Sequence, residues 1–374
     1  TALKDKYYEI DERVEEICKE AFKGCDKLEE IVMPKKLKKI DSEAFQGCSS
    51  LTKLTLPDSV TSIGKGAFCG CSGLTELTLP DSVTIIGDGA FQGCSGLTEL
   101  TLPNCVRVVE ACAFKDCSGL TKLTLPNILI NIWESAFEGC SGLTELTLPN
   151  GLENIGDSAF FYCIGLTKLT LSNSLKSIGN SAFSGCRGIT KLTLPNSVMS
   201  IEGWAFFACI GLTELTLPDS LKSIDGSVFS GCSSLTKLTL PNSLESIGEH
   251  AFSDCRGLTE LTLPNSLESI GDGAFRGCSG LTELILPNSV TSIGDAAFSE
   301  CSDLSKITSL AEIPPMCGFK VFNGVNKTNC ELIVPEGSVA AYTLAEDWNK
   351  FSNIRGFSGV EVTVAGKTRK IVVE

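Results

Sequence analysis

Apolar and polar positions along the chain follow one pattern with a period of 23 residues. Phenylalanine recurs with this constant step, and a cysteine lies three residues after each member of the series. The thirteen phenylalanines of the series are Phe22, Phe45, Phe68, Phe91, Phe114, Phe137, Phe160, Phe183, Phe206, Phe229, Phe252, Phe275 and Phe298. Repeats of this length cannot bury their apolar residues alone and do so by stacking on their neighbours. The sequence therefore predicts a solenoid instead of the two or three domains that 374 residues suggest.

Within one repeat, the spacing of the apolar residues predicts a short strand followed by a return segment. Leu54 and Leu56 are two residues apart and face one side of a strand, whereas Lys53 and Thr55 face the other. Pro57 lacks a backbone amide donor and ends the strand. The apolar residues of the return segment are Val60, Ile63, Ala67, Phe68 and Cys71. We predict about thirteen such repeats, each with one short parallel strand and with short turns or 3-10 segments on the return side.

Both ends of the array depart from the repeat, as the caps of a solenoid do. We divide the chain into a degenerate N-terminal cap (1–27), the repeat array (28–310), a C-terminal capping module (311–357) and a hairpin-like tail (358–374). In the capping module we predict a short helix around residues 338–348. The side chains predicted to cover the open end of the core are Tyr342, Trp348, Phe351 and Ile354.

The repeat also resembles a known family. The segment LPNSLESIGDGAFRGCSGLTEL resembles the BspA-type leucine-rich repeat, which pairs IGxxAFxGC with LTxLxLP. The ending AEIPP…LIVPEGSVAAYTLAEDWNKFSNI resembles the terminal module attached to such arrays in surface proteins of gut and oral anaerobes. This resemblance covers residues 8–355 and implies an α/β-type leucine-rich-repeat solenoid that acts by binding. Ser172 in the proline column, Val228 in the alanine column and the tail after residue 355 depart from the family pattern.

Composition narrows the classes of function. The chain has 31 basic and 45 acidic residues, a net charge of −14, which disfavours binding to nucleic acid or to anionic membranes. It has a single histidine, His250, and we find no P-loop, GxSxG or HExxH motif. No apolar run approaches the ~20 residues of a membrane span. We therefore predict no enzyme activity, no cofactor, no metal and no transmembrane segment. No targeting segment is present, so a signal for export was either removed or never existed.

The cysteines are predicted to be packing residues. Thirteen of the nineteen stand at the same inward position of successive repeats, where a cysteine acts as a small apolar residue. A metal site would instead need two short cysteine pairs, and only Cys69 and Cys71 lie close together. Outside the column, Cys317 and Cys330 are the one pair for which a disulfide and two free thiols remain equal alternatives.

A column of charged residues faces outward from the strands. Lysine and glutamate occupy the position of Lys53 in all thirteen repeats, and nine of the twelve neighbouring pairs have opposite charges. Opposite charges on adjacent strands stabilise a sheet by about 0.2–1 kcal/mol per pair. We interpret this column mainly as a device that keeps the strands in register.

Departures from the repeat mark candidate contact residues, because the other repeats show which residue is normal at each position. Two repeats carry apolar residues at a turn where most repeats carry serine, glycine or another polar residue, and a third set follows the strand of an earlier repeat. Exposed aromatic and aliphatic clusters often mark contact sites. Local packing across the turn is the alternative explanation. The candidate residues are Phe161, Tyr162, Ile164, Trp204, Phe207, Ile210, Ile128, Ile130 and Trp133.

These observations lead to one functional interpretation with an alternative. We expect a non-catalytic binding or adhesion protein, secreted or at the cell surface, that recognises a protein or glycoprotein on a host or on other bacteria. Self-association through the same residues is also open. The alternative is a passive spacer that displays another domain. A spacer would have uniform outward columns, and the irregular repeats break that uniformity.

Overall fold

The computed structural model describes residues 6–357 and, for the backbone alone, residues 360–364 and 367–371. The chain forms two units, Thr1–Ile189 and Thr190–Glu374, and each is built from stacked 23-residue turns. Each turn has a longer strand, which carries the LTxLxL segment, and a shorter return strand of two residues. The parallel-strand solenoid predicted from the sequence is therefore the fold of the protein.

The described part of the first unit contains sixteen strands, in which longer strands and return strands alternate along the chain. Its longer strands are β1 (Tyr7–Glu9), β3 (Glu30–Val32), β5 (Lys53–Thr55), β7 (Glu76–Thr78), β9 (Glu99–Thr101), β11 (Lys122–Thr124), β13 (Glu145–Thr147) and β15 (Lys168–Thr170). Its return strands are β2 (Glu16–Ile17), β4 (Lys39–Ile40), β6 (Ser62–Ile63), β8 (Ile85–Ile86), β10 (Val108–Val109), β12 (Asn131–Ile132), β14 (Asn154–Ile155) and β16 (Ser177–Ile178). Paired strands are parallel and offset by one repeat, so that Leu54 lies opposite Leu77.

The second unit continues the same plan and then closes it. Its longer strands are β17 (Lys191–Thr193), β19 (Glu214–Thr216), β21 (Lys237–Thr239), β23 (Glu260–Thr262), β25 (Glu283–Leu286), β27 (Lys306–Ser309), β29 (Glu331–Pro335) and β30 (Asn353–Phe357). Its return strands are β18 (Ser200–Ile201), β20 (Ser223–Ile224), β22 (Ser246–Ile247), β24 (Ser269–Ile270), β26 (Ser292–Ile293) and β28 (Met316–Cys317). The last strands, β31 (Val360–Val364) and β32 (Lys367–Ile371), pair antiparallel. The residues that connect them lie outside the described residues.

The return strands are the main difference from the prediction of one strand per repeat. In β6 the Ile63 side chain is buried, and its backbone pairs in register with Ile86 of β8. A strand of two residues contains only one inward and one outward position. The alternation that reveals a strand in a sequence therefore cannot be recognised at this length.

Phenylalanine columns form the centre of each core. In the first unit the rings from Phe22 to Phe183 stack face to face, with centroids 4.9–5.5 Å apart. In the second unit the rings from Phe206 to Phe322 repeat this arrangement at 5.4–5.9 Å. Almost all of these rings are fully buried. The turns stack because each one supplies the same flat side chain at the same place.

The C-terminal capping module ends the second unit. Its helix α1 (Val339–Leu344) begins after Ser338 and lies between two 3-10 turns, Glu336–Ser338 and Trp348–Lys350. Tyr342, Trp348 and Phe351 are buried, as predicted, whereas Ile354 is only half-buried. Among the described residues, no helix is long and apolar enough to span a bilayer.

The cysteine column is buried and makes a regular set of hydrogen bonds. In the first unit, for example, the Cys163 thiol donates to the Phe137 carbonyl over 3.3 Å, and Cys140 bonds to Phe114 in the same way. Burial raises the pKa of the Cys163 thiol to about 12. Cys163 is therefore a neutral donor that satisfies a carbonyl of an earlier repeat.

The disulfide considered for Cys317 and Cys330 is absent, because both are free thiols. Cys317 lies on β28, in register with Ile293, and so occupies a return-strand position of the core. Cys330 directly precedes β29, which belongs to the sheet of longer strands, and its thiol contacts the Glu331 carbonyl. The two cysteines therefore belong to different strand sets, which favours the alternative of two free thiols.

We predict that thiol reactivity will separate the column from the other cysteines. At pH 8 a native sample should be alkylated rapidly at the exposed Cys18 and Cys105, while the buried column stays unmodified. A thiol with a pKa of about 12, such as Cys163, carries on the order of one thiolate in ten thousand at that pH. Peptide mapping by mass spectrometry measures the sites. In denaturant without reductant all nineteen should react, and labelling of Cys163 as fast as Cys105 in the native protein would contradict the prediction.

Candidate binding surface at the irregular turns

The turn after Phe160 carries three apolar residues of the first unit on its outer side. Phe160 and Cys163 point into the core, which leaves Phe161, Tyr162 and Ile164 at the surface. Phe161 is half-buried, whereas Tyr162 and Ile164 are 46% and 47% exposed. The rings of Phe161 and Tyr162 meet edge to face, with centroids 4.5 Å apart. The candidate residues of this turn therefore form one apolar cluster.

Tyr162 has a backbone conformation that normally favours glycine. Its φ is +56°, and the corresponding residues of the neighbouring repeats are Gly139 and Gly185. A side chain in this region costs roughly 1–2 kcal/mol. The Tyr162 ring lies against Gly185, since a methyl group there would come within 3.3 Å of the ring. One part of the tyrosine thus packs locally, as the alternative explanation holds, and the rest faces solvent.

The turn around Phe206 in the second unit carries a similar cluster. Trp204, Phe207 and Ile210 are 49%, 39% and 43% exposed. Trp204 also has a positive φ of +57°. The same position is Ser227 in the next repeat and Gly273 in the third repeat after Trp204. A bulky side chain is a rare occupant of this region. Trp204 is therefore both strained in its backbone and half exposed at its ring.

The third candidate set lies in the first unit, near the return strand β12. Ile128 and Trp133 are exposed and Ile130 is half-buried. Trp133 replaces the glycine found at Gly156 in the next repeat, where a methyl group would come within 2.8 Å of the Trp133 backbone. The sequence places these residues around one strand, and the structure leaves just under half of the Ile128 and Trp133 side chains exposed.

Several exposed apolar residues escaped the sequence prediction. Ile85 stands in the Ser62 column of the first unit, and Met199 replaces a lysine or threonine in the second. Comparing the columns of all outward positions would have found both. Others, among them Ile313, Met316 and Phe319, lie in the capping module, where the repeat no longer supplies a reference.

Ion pairs cover the outer face of the longer strands. Each is made by a lysine and a glutamate of paired strands, 2.7–3.7 Å apart. The pairs are Lys53–Glu76, Lys122–Glu99, Lys168–Glu145, Lys191–Glu214, Lys237–Glu260 and Lys306–Glu283. These side chains are mostly well exposed, so that each pair contributes only about 0–1 kcal/mol. Because the charges of each pair cancel, the net charge of this face is nearly zero. The face is polar, whereas the irregular turns present apolar side chains.

Groups suited to catalysis are scattered over the described part of the chain. His250 contacts only Glu249 among charged residues, at 3.6 Å, and its ring lies over Gly273. Residues 6–357 contain no cluster of three or more histidine, cysteine, aspartate or glutamate residues placed to hold a metal ion. The irregular turns are the places within the repeats where exposed aromatic side chains replace small ones.

Stacked 23-residue turns with this core define a leucine-rich repeat protein. The BspA-type leucine-rich repeat model matches it in six copies, over residues 4–121, 109–236 and 223–317. The chain belongs to this family.

Two solved structures show the same likeness. A leucine-rich repeat protein from Bacteroides ovatus is 33% identical, with a TM-score of 0.69 over 81% of this chain and 86% of that one. A leucine-rich cell surface protein from Faecalibacterium prausnitzii is 27% identical, with a TM-score of 0.51 over 82% of this chain and 88% of that one. No curated protein matches the sequence.

Proposed function

We propose that this protein is a non-catalytic binding protein, secreted or at the cell surface, that recognises a protein or glycoprotein through its irregular turns. The observation that carries the proposal is the exposure of Tyr162 and Trp204, two aromatic residues at positive φ where the two adjacent repeats carry glycine or serine. The description of the Faecalibacterium prausnitzii relative as a cell surface protein supports the location.

Energetics favour a binding role for these residues over a structural one. A large apolar side chain left in water forgoes part of the about 1.5–3 kcal/mol that full burial supplies. The left-handed backbone at Trp204 adds a cost of roughly 1–2 kcal/mol that Gly273 avoids. A turn that served only to join two strands would avoid the exposed apolar surface with serine or glycine, and would avoid the backbone cost as well with glycine. A partner that buries the aromatic side chains offsets both costs.

We expect consensus substitutions in the two turns to remove binding without unfolding the protein. One variant carries Phe161→Ser, Tyr162→Gly and Ile164→Ser in the first unit, and a second carries Trp204→Ser, Phe207→Ser and Ile210→Ser in the second unit. Each new residue is one that neighbouring repeats carry at that position. At least one variant should lose tenfold or more in affinity, because aromatic contact residues often contribute 2 kcal/mol or more. Partners are first captured from host and bacterial surface extracts, and affinities are then measured with the purified partner.

A matched control removes apolar surface elsewhere in the second unit. Ile313→Ser with Phe319→Ser deletes two highly exposed apolar side chains of the capping module and should leave binding unchanged. Thermal unfolding and far-UV circular dichroism verify that all variants fold. The spacer alternative would gain support if both turn variants bound the partner as tightly as the parent, and the proposal would then be abandoned.

A further inference from the structure

The first strand of the array has one edge without a paired strand. Among the described residues, β1 pairs only with β3. In a strand, the N–H and C=O groups of one residue point to the same side, and successive residues alternate between the two sides. The Ile10 amide donates to the Val32 carbonyl of β3 over 3.1 Å, which defines the paired side. The backbone groups of Tyr7 and Glu9 therefore point away from β3.

The strand β30 of the second unit has the opposite edge without a partner. It pairs with β29, and no other strand in the described part of the chain extends that sheet. In this unit, a residue at the second inward position of a strand donates to the next strand, as Leu194 does to Thr216 over 3.0 Å. Gly356 holds that position in β30, and Ile354 holds the inward position before it. Their backbone groups therefore point away from β29.

The two unpaired edges are complementary in hydrogen bonding. Paired longer strands share one parallel register at both ends of the array. If β1 of a second copy lies next to β30 in that register, the Gly356 amide donates to the Glu9 carbonyl and the Glu9 amide donates to the Ile354 carbonyl. The bond from Ile10 to Val32 is the equivalent within one chain. Strand addition of this kind derives its affinity from main-chain hydrogen bonds.

The same register brings two opposite charges together. Glu9 pairs with Val32 and Arg355 pairs with Ile333, so both charged residues stand in the outward column that threonine fills in most repeats. Both side chains are exposed. With β1 of a second copy beside β30, Arg355 and Glu9 become neighbours on adjacent strands. Opposite charges in such positions attract, and their attraction also favours this register over others.

Both charged groups can take part in this contact. Arg355 binds Asn353 through Nε at 3.1 Å and Glu331 through Nη1 at 3.4 Å. A guanidinium has five N–H donors, so donors remain for a further carboxylate. No lysine or arginine within residues 6–357 forms an ion pair with Glu9. The Glu9 carboxylate is therefore open to a cation from a second copy.

Apolar side chains at the two edges are incompletely covered in one copy. Tyr8, at the inward position of β1, is 38% exposed, and its ring meets Phe22 edge to face at 5.4 Å. Ile354, at the inward position of β30, is half-buried. Placing β1 beside β30 brings Tyr8 of one copy next to Ile354 of the other. Burial of these side chains adds an apolar contribution to the hydrogen bonds and the ion pair.

We propose that β1 of one copy adds to β30 of a second copy, in a head-to-tail contact between two copies of this chain. The contact is heterologous, because each copy contributes a different edge. It involves few residues on either side, so we expect weak association that increases with concentration. The inference goes beyond the proposed function and is independent of it, since neither edge includes a residue of the irregular turns.

Sedimentation velocity of the full chain over a range of concentrations tests the contact. We expect the average mass to rise with concentration. Glu9→Lys and Arg355→Glu should each shift this rise to about tenfold higher concentration or more, because each places like charges side by side. The first substitution lowers the net negative charge and the second increases it, so a general charge effect cannot explain a loss in both. Glu202→Lys, at an exposed glutamate of the second unit, is the matched control and should associate like the parent.

A mixture of the two variants tests whether the two charges face each other. The mixture again contains one intact pair of edges, β30 of the Glu9→Lys chain and β1 of the Arg355→Glu chain. Association should therefore return in the mixture, although it is weak in each variant alone. Circular dichroism verifies that both variants fold. Failure of the mixture to associate, or a loss of association in only one variant, would overturn the inference.

Amide hydrogen exchange locates the contact independently. At a concentration where the parent associates, the amides of Glu9 and Gly356 should exchange more slowly than in a dilute sample. The Ile10 amide, which is already bonded within one chain, is the internal control and should change little. A parent chain that stays monomeric at high concentration, or one that associates without protecting Glu9 and Gly356, would contradict the proposed contact.

Two further outcomes separate this inference from the proposed function. If association persists in Glu9→Lys but is lost in the variant with Trp204→Ser, Phe207→Ser and Ile210→Ser, the copies meet through an irregular turn and the strand contact is wrong. Binding of a captured partner is a separate measurement, and Glu9→Lys should bind that partner as tightly as the parent. Failure to capture any partner would count against the proposed function alone.

Discussion

Replacing Phe160 with alanine is expected to destabilise the first unit by about 3–5 kcal/mol. The ring is fully buried and stacks on two neighbours, Phe137 at 5.3 Å and Phe183 at 5.2 Å. Removing it creates a cavity in the middle of the ring column and ends both stacking contacts, each worth about 0.5–1.5 kcal/mol beyond the buried area. Because each repeat contacts only its neighbours, the loss falls at one place along the array.

Urea unfolding followed by circular dichroism measures the effect, and hydrogen exchange shows where protection is lost. Phe161→Ser is the matched control, since it removes the same kind of ring one residue further along, from the surface of the turn. It should change the free energy of unfolding by less than about 1 kcal/mol. If Phe160→Ala were as mild as Phe161→Ser, the stacked column would not be the main source of stability.

The fold could be predicted from the sequence because thirteen repeats carry the same residues at the same positions. Thirteen phenylalanines and thirteen cysteines at one spacing leave a single way to bury them, with equivalent residues stacked in columns. The same regularity predicted the lysine–glutamate pairs, since residues 23 apart lie on adjacent strands. Lys53 and Glu76 illustrate this, at 3.0 Å.

Conformation at single positions was harder to predict. The column of Trp204 has positive φ throughout the second unit, although serine, histidine and alanine occupy it as well as glycine. Gly66, Gly89 and Gly273 in that column were the available signal, but glycine is a minority there and does not by itself distinguish a left-handed turn from a close contact. The strain at Trp204 is therefore knowledge that only the structure supplies, whereas the column of Tyr162 is glycine in most repeats and could have indicated a left-handed backbone there.

The candidate contact residues show what column comparison can and cannot do. It identified Trp204 and Phe207 as departures, and the structure shows that both are substantially exposed. It also included Phe161, which is half-buried, because a departure in residue type does not reveal how a side chain packs.

The structure of the capping module could not be predicted by comparing repeats, because its sequence no longer follows the repeat. In the array, the carbonyls of each turn accept hydrogen bonds from the next turn, as Thr291 accepts from Met316. At the end of the array the next turn is missing, and side chains take its place. The Trp348 indole donates to the Pro315 carbonyl over 3.0 Å, and the Tyr342 hydroxyl donates to the Ala311 carbonyl over 2.9 Å.

Replacing Trp348 with alanine should accordingly open the C-terminal end of the second unit. Its side chain is fully buried and packs on Phe322 at 5.2 Å and Tyr342 at 5.3 Å. Losing the ring should cost about 3–5 kcal/mol, and the buried Pro315 carbonyl then loses its donor, a further cost of about 1–3 kcal/mol. Exchange of backbone amides should rise first in β29 and β30, the strands beside α1.

Trp348→Phe separates the two contributions to this stability. Phenylalanine keeps most of the packing but has no N–H, so the Pro315 carbonyl loses its donor while the core remains largely filled. Its loss should be smaller than that of Trp348→Ala, in the range of about 1–3 kcal/mol. Urea unfolding of the two variants and the parent gives both values. Equal stability of Trp348→Phe and the parent would show that the indole donor does not cap the array, and that packing alone closes its end.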